Sequence, residues 1–420
     1  MRCCHHKLNF EFIYLCMHKI LWLLLLVPIS LSAQVTITGR IVNTADKSPV
    51  ADASVFLNNS VIGNKTLSDG SFRLFNVKNG KYDLVVSCVG YKAHHQDITV
   101  NNNNIVMSEI ALVTSVTELS EVKIKLTKPE PAHRRNRFLR IFTSEFLGRT
   151  KNASICKILN PELLDFDYDE KSDKLKATSS DFLIIENKAL GYRIKYLLVS
   201  FLADPRNEIV SYTGSSLFEA MTGSVEQEMI WKKKRVEAYR GSQMHFLRAC
   251  IAYQVPEEGF TVRKVVRTPT VGRPPDSLIN VKLKTFAITS GVASMANDSV
   301  RYWSKMAKQP RYDQTVADRV LKIDEYIKLT KQKGIYGFGY TDWLMINYLH
   351  WSNGSNEHST FVTFNGPYAY FDSNGVVFTP ESCLIEGYWG AKRMAELLPV
   401  DYELPEEMYS IRNLKTKKER

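Results

Sequence analysis

Long apolar runs are scarce in this chain of 420 residues, and the one that stands out is Ile20 to Leu31, ILWLLLLVPISL. A stretch of about 12 residues is too short to cross a hydrocarbon core of roughly 30 Å as a helix, so it is not a conventional membrane span. The glycine-rich loops GxGxxG and GxxxxGK[ST] that hold nucleotide phosphates are missing, and so is HExxH. No GxSxG or SxxK opens a recognisable nucleophile site. None of the nine histidines has Glu three positions on, which removes the HxxE pair that a zinc carboxypeptidase needs. His94-His95 is the nearest approach to a ligand pair, but strand neighbours face opposite ways. Catalytic, cofactor and metal sites are therefore expected to be absent.

What is present reads first as a leader. His18 and Lys19 precede the apolar run, and Ser30, Ser32 and Ala33 supply small residues before Gln34, the pattern of a secretory signal cleaved after Ala33. Met17 would start a compact signal, with Met1 to Cys16 an upstream extension; an uncleaved anchor is the competing reading. Export converts the charge of +11 to +9 over 387 residues and leaves Cys88, Cys156, Cys250 and Cys383. These four are spaced too widely for a zinc knuckle or CxxC pair, so isolated buried thiols are expected, although an oxidising compartment permits any of three complete pairings. Nucleic acid is not an expected partner of an exported protein. The basic groups, such as Arg134 to Arg137 and the tail from Lys415, read as solvated faces or as a preference for acidic envelope components.

From Val35 to Met107, short alternating runs are separated by turn residues. Tyr82, Leu84, Val86 and Cys88 share one face at period two, and Asp69-Gly70 and Asn79-Gly80 read as hairpin turns. Gly39-Arg-Ile-Val42, Pro49 to Val55, Thr66-Leu-Ser-Asp69-Gly70-Ser-Phe72, Gly80-Lys-Tyr82-Asp-Leu84 and Val89-Gly90-Tyr91 together resemble the carboxypeptidase regulatory-like domain. The resemblance implies a prealbumin-like β-sandwich of about seven strands that accompanies peptidases without doing their chemistry. Asp52 stands where that family usually has Gly. In envelope proteins of Gram-negative bacteria the module often precedes an outer-membrane receptor, and Leu119-Ser-Glu121-Val122-Lys-Ile124 looks like the usual junction. The remaining 290 or so residues lack the series of amphipathic ten-residue strands of a barrel.

The expected organisation is a leader at 1–33, the sandwich at 34–112, a linker at 113–137, a β-rich α+β domain at 138–404 and a basic tail at 405–420. The fold class is mainly β with α+β. In the larger domain, helices are expected from Asn136 to Leu147, after Ser224, over His245 to Ala252, after Asp298, and from Gly387 to Leu398. The body resembles short envelope proteins that carry the same module and have no assigned chemistry.

Asp165-Phe-Asp167-Tyr-Asp169-Glu170 begins like a calcium loop but has Glu170 at position six and Lys176 at position twelve, so alternation with Phe166 and Tyr168 inward explains it better. Ser242 near His245 reads as a helix N-cap beside a surface histidine. The aromatic C-terminal third supplies the candidate binding surface, Trp343, Trp351, Tyr368 and Tyr370, since such rings stack on sugars or anchor protein partners. A non-enzymatic exported protein of the periplasm or outer membrane is expected, with a binding or assembly role there, an envelope protein or glycan as partner and peripheral membrane association. The alternative is a glycan or peptide hydrolase with the sandwich as accessory.

Overall fold

The computed structural model describes residues 35–115, 131–289, 298–349 and 358–405. The leader, the Leu119–Ile124 junction, His350, Trp351 and the basic tail beyond residue 405 lie outside them.

The chain is mainly β. Eight strands, β1 (Val35–Asn43), β2 (Ser54–Leu57), β3 (Gly63–Lys65), β4 (Ser71–Val77), β5 (Gly80–Ser87), β6 (His94–Val100), β7 (Ile105–Val106) and β8 (Ile110–Leu112), form the N-terminal sandwich. One sheet has β1 between β4 and the parallel β7 and β8; the other has the order β3-β2-β5-β6. Tyr82, Leu84 and Val86 point into the core with Ile37, Ile41 and Val55, as the alternation predicts. The two turns expected as hairpins behave differently: Leu67–Gly70 carries the chain from one sheet to the other, and Lys78–Asn79 carries it back. Turn residues set the local dihedrals, but strand pairing is decided by which apolar faces meet. Asp52 takes the left-handed conformation with φ 57°, which explains why Gly suits that position in the family.

Helix α1 (Ala132–Leu147) starts within the stretch expected as linker, directly behind Pro131. Its arginines are good helix formers, so residues 132–137 join the helix instead of preceding it. Phe138, Phe142 and Phe146, four residues apart, are buried on one stripe. That stripe lies on a six-stranded sheet built from β9 (Cys156–Ile158), β10 (Leu164–Asp169), β11 (Lys174–Ser179), β12 (Leu183–Asn187), β13 (Tyr192–Asp204) and β14 (Ile209–Ala220), where Phe142 meets Phe201 at 4.8 Å and Phe138 meets Tyr168 at 4.9 Å. Each ring contributes about 2 to 3 kcal/mol by burial.

Helices α2 (Val225–Tyr239) and α3 (Gln243–Ile251) follow, capped as expected by Ser224 and Ser242. Strand β15 (Phe260–Pro269), helices α4 (Asp276–Thr289) and α5 (Asp298–Lys308), strand β16 (Tyr312–Val320), helix α6 (Ile323–Tyr326) and strands β17 (Ile327–Leu329), β18 (Ile335–Phe338), β19 (Trp343–Tyr348), β20 (Ser359–Phe364), β21 (Ala369–Asp372) and β22 (Cys383–Gly387) complete the body. They form a sheet of order β16-β15-β19-β20-β22 and another of order β17-β18-β21. The helix expected from Gly387 to Leu398 is instead the short α7 (Tyr388–Ala391) and a separate 3-10 turn at Met394–Glu396. Trp389 is drawn into the core of the last sheets, Met394, Ala395 and Leu398 into the core under α1, and Val400 into the sandwich. One continuous helix cannot serve three cores.

The sandwich is fastened to the body. Asn59 N–H donates to Ser216 O at 2.7 Å and Phe218 N–H donates to Ser60 O at 2.8 Å, so the turn after β2 pairs with the edge of β14. Val400 N–H donates to Asn59 O at 2.7 Å, and the Asp401 carboxylate accepts from Val61 N–H at 3.2 Å. Arg248 donates to three backbone carbonyls, Asn374, Tyr402 and Val400, at 2.9, 2.8 and 2.7 Å. The guanidinium thereby ties the turn after β21 to the C-terminal segment.

Candidate functional site

Strand β21 alternates, with Ala369 and Phe371 buried and Tyr370 turned outward. The turn after it folds the chain back, so that Phe378 N–H donates to Tyr370 O at 3.0 Å and the two rings lie nearly parallel, 6.5 Å apart. Tyr368 adds a third ring 6.2 Å from Tyr370. Lys81 reaches over from the sandwich, its ammonium 5.2 Å from the centre of the Phe378 ring, while also pairing with Asp97 at 2.7 Å. Tyr370 is 36% and Phe378 45% exposed, which leaves an aromatic strip open to solvent at the joint of the two parts.

Tyr368 and Tyr370 of the sequence-derived set therefore stand together. Trp343 does not join them: it is half-buried on β19, with the Arg267 guanidinium 3.8 Å above its ring. Arg267 in turn pairs with Glu386 at 2.9 Å. Strand alternation alone could not show that a cation covers this ring. Phe378 was missed, although its signal was present, because the Asp372–Gly375 turn sets residue 378 back beside residue 370.

The nucleophile-like pair is a capping arrangement. Ser242 Oγ accepts from His245 N–H at 3.1 Å, and His245 Nδ1 accepts from Gly241 N–H at 3.1 Å. That leaves Nε2 to carry the proton and donate to Glu258 at 2.8 Å. The imidazole is buried between the Tyr239 and Phe260 rings, not at the surface as expected, and its neighbours orient it away from the serine hydroxyl. The acidic run lies on β10 with Phe166 and Tyr168 turned toward α1 and the aspartates exposed. Among the described residues no three His, Cys, Asp or Glu side chains gather as metal ligands. Cys88, Cys156, Cys250 and Cys383 are all free thiols; Cys250 is buried as expected, whereas the other three are only half-buried, and burial pushes the Cys156 thiol up to about 12 and that of Cys383 to about 11.

A cleft of about 690 Å³ opens along one flank of α1. Arg137, Ile141, Ser144 and Gly148 line it from the helix side, and Leu175, Ala203 and Val210 from the sheet. Its carboxylates are partnered. Asp173 accepts from the Tyr168 hydroxyl, Glu145 pairs with Arg149, and Glu208 pairs with Arg311 at 3.6 Å. Burial pushes the Asp204 carboxyl up, but Asn207 at 2.8 Å and Lys174 at 3.0 Å outweigh it and hold the group below its ordinary value. An Asp held ionised in this way is a poor general acid.

Residues 37–124 match the CarboxypepD_reg-like domain family, the region that carries the motif series. Comparison with curated proteins gives no match. Among solved structures, a type II cohesin–X-dockerin complex from Acetivibrio cellulolyticus is similar at 21% identity over 19% of this chain and 58% of that one, with a TM-score of 0.17. The group B streptococcus pilus 2b backbone protein is similar at 19% identity over 20% of this chain and 42% of that one, with a TM-score of 0.17. A candidate membrane-associated protein of unknown function from Bacteroides fragilis aligns at 10% identity over 79% of this chain and 89% of that one, with a TM-score of 0.16. The chain thus spans just over half of the cohesin complex chain and less than half of the pilus protein. Scores this low carry no argument about function. Among the described residues no helix is long and apolar enough to cross a membrane.

Proposed function

We propose that this chain is an exported protein of the periplasm or outer membrane that binds an envelope glycan without transforming it. The observation that carries the reading is the strip Tyr368, Tyr370 and Phe378, where clustered ring faces lie beside the Lys81–Asp97 pair. Sugars present apolar C–H faces and a rim of hydroxyls, and the strip offers rings for the first and charged hydrogen-bonding groups for the second. The regulatory-like domain, a module that accompanies other activities, and the leader-like first 33 residues support export and a binding role.

The competing hydrolase would use the cleft beside α1. Incubating the full chain with peptidoglycan sacculi and analysing the soluble fraction by mass spectrometry separates the two readings. Binding without turnover predicts sacculi recovered intact with protein attached. Release of fragments that stops in Asp204→Asn would overturn it.

A further inference from the structure

A second ligand site follows from the cleft beside α1 and is independent of the aromatic strip. Arg137 to Gly148 spans eleven helical steps, so the cleft runs roughly 16 Å along the helix. Its middle is apolar, formed by Ile141 and Val210, with Leu175 and Ala203 buried beneath them. At the N-terminal end it adjoins a smaller hollow of about 300 Å³ bordered by His133, Arg134 and Glu170, and the two share Arg137 and Tyr168. Arg134 is paired with Glu170 at 3.1 Å. Arg137 is exposed, lies 5.4 Å from the centre of the Tyr168 ring and is 3.4 Å from its hydroxyl, with no carboxylate partner among the described residues. Inside the cleft Asp204, Glu145 and Glu208 pair with Lys174, Arg149 and Arg311, while Asp173 keeps its charge and accepts from the Tyr168 hydroxyl, which stands between it and Arg137. Arg393 marks the far end near Gly148, where it donates to the Glu145 carbonyl at 3.2 Å and so completes the end of α1.

We infer that the cleft binds an amphiphile with one carboxylate or phosphate group at Arg137 and an extended apolar chain along Ile141 and Val210. A cavity of this size is in the range that encloses a small organic ligand, about 300 to 1,000 Å³. An arginine presents paired N–H groups that suit either anion, while the apolar middle of the cleft suits a hydrocarbon chain. A free fatty acid and a phosphorylated lipid share this chemistry.

Titration calorimetry of the full chain with decanoate, decyl phosphate, decanol and inorganic phosphate tests it. The anionic amphiphiles should bind at least about tenfold more tightly than decanol, the scale of one charge-assisted hydrogen-bonding group. Arg137→Gln should remove that advantage and leave decanol unchanged, and Ile141→Glu should weaken every chain-bearing probe. Arg140→Gln, on the same helix but outside this cleft, should change nothing. A stronger response to decanoate points to a fatty acid and to decyl phosphate to a lipid phosphate. Equal binding of decanol, equal binding of inorganic phosphate, equal loss in Arg140→Gln and Arg137→Gln, or no binding of any probe would each overturn the inference.

Discussion

Asp52 shows how one residue can be both a departure from a family pattern and a fit to the fold. The position requires a left-handed backbone, φ 57°, which costs a non-glycine residue about 1 kcal/mol or more. Aspartate tolerates it better than most residues, and its backbone N–H still donates to Thr66 O at 3.1 Å. Asp52→Gly should therefore stabilise the sandwich by about 0.5 to 1 kcal/mol, read as a higher denaturation midpoint in urea with an unchanged slope. Asp52→Val should lower that midpoint. A glycine variant less stable than the parent would mean that the Lys65 pair, at 3.8 Å and largely exposed, matters more than the backbone.

Among the elements, those whose apolar spacing answers to one core were legible in the sequence. The phenylalanine stripe of α1, the alternation of β10 and β5 and the serine caps of α2 and α3 depend on neighbours a few residues away. The segment after β22 could not be read that way, because Trp389, Met394 and Val400 serve three different cores. Of the candidate binding surface, Tyr368 and Tyr370 were legible from strand alternation, whereas the covering of Trp343 by Arg267 and the approach of Lys81 depend on contacts far apart in the chain. The same holds for Asp401, whose partner is Val61 N–H in the sandwich. Burial raises the Asp401 carboxyl above its ordinary value. The folded chain therefore keeps this proton at pH values where the unfolded chain has lost it, so the contribution is fully present below about pH 4 and is lost as pH rises through the folded value. Asn at 401 retains an acceptor for Val61 N–H and does not titrate. Asp401→Asn should match or exceed the parent in stability at pH 7, and its stability difference between pH 4 and pH 7 should be shifted in the opposite sense; urea denaturation at both pH values checks this. Parallel pH profiles would contradict it.

At the scale of the whole molecule, the C-terminal segment, the Asn58–Ile62 turn and Arg248 hold the sandwich against the body at several points. That fixes Lys81 of β5 relative to Tyr370 and Phe378, groups nearly 300 residues away in sequence, and makes the strip a feature of the assembled chain. A contiguous cluster of exposed rings, unlike apolar side chains exposed singly, marks a candidate contact site. Tyr370 at 36% and Phe378 at 45% exposure can each bury on the order of 100 Å² on contact, worth about 2 kcal/mol. The most direct test of the binding account is the affinity of the full chain for solubilised peptidoglycan fragments, compared with a Tyr370→Ala/Phe378→Ala double variant whose unfolding midpoint matches the parent. The account predicts measurable binding by the parent and at least a tenfold loss in the variant. Equal affinities, or no glycan binding by the parent, would contradict it.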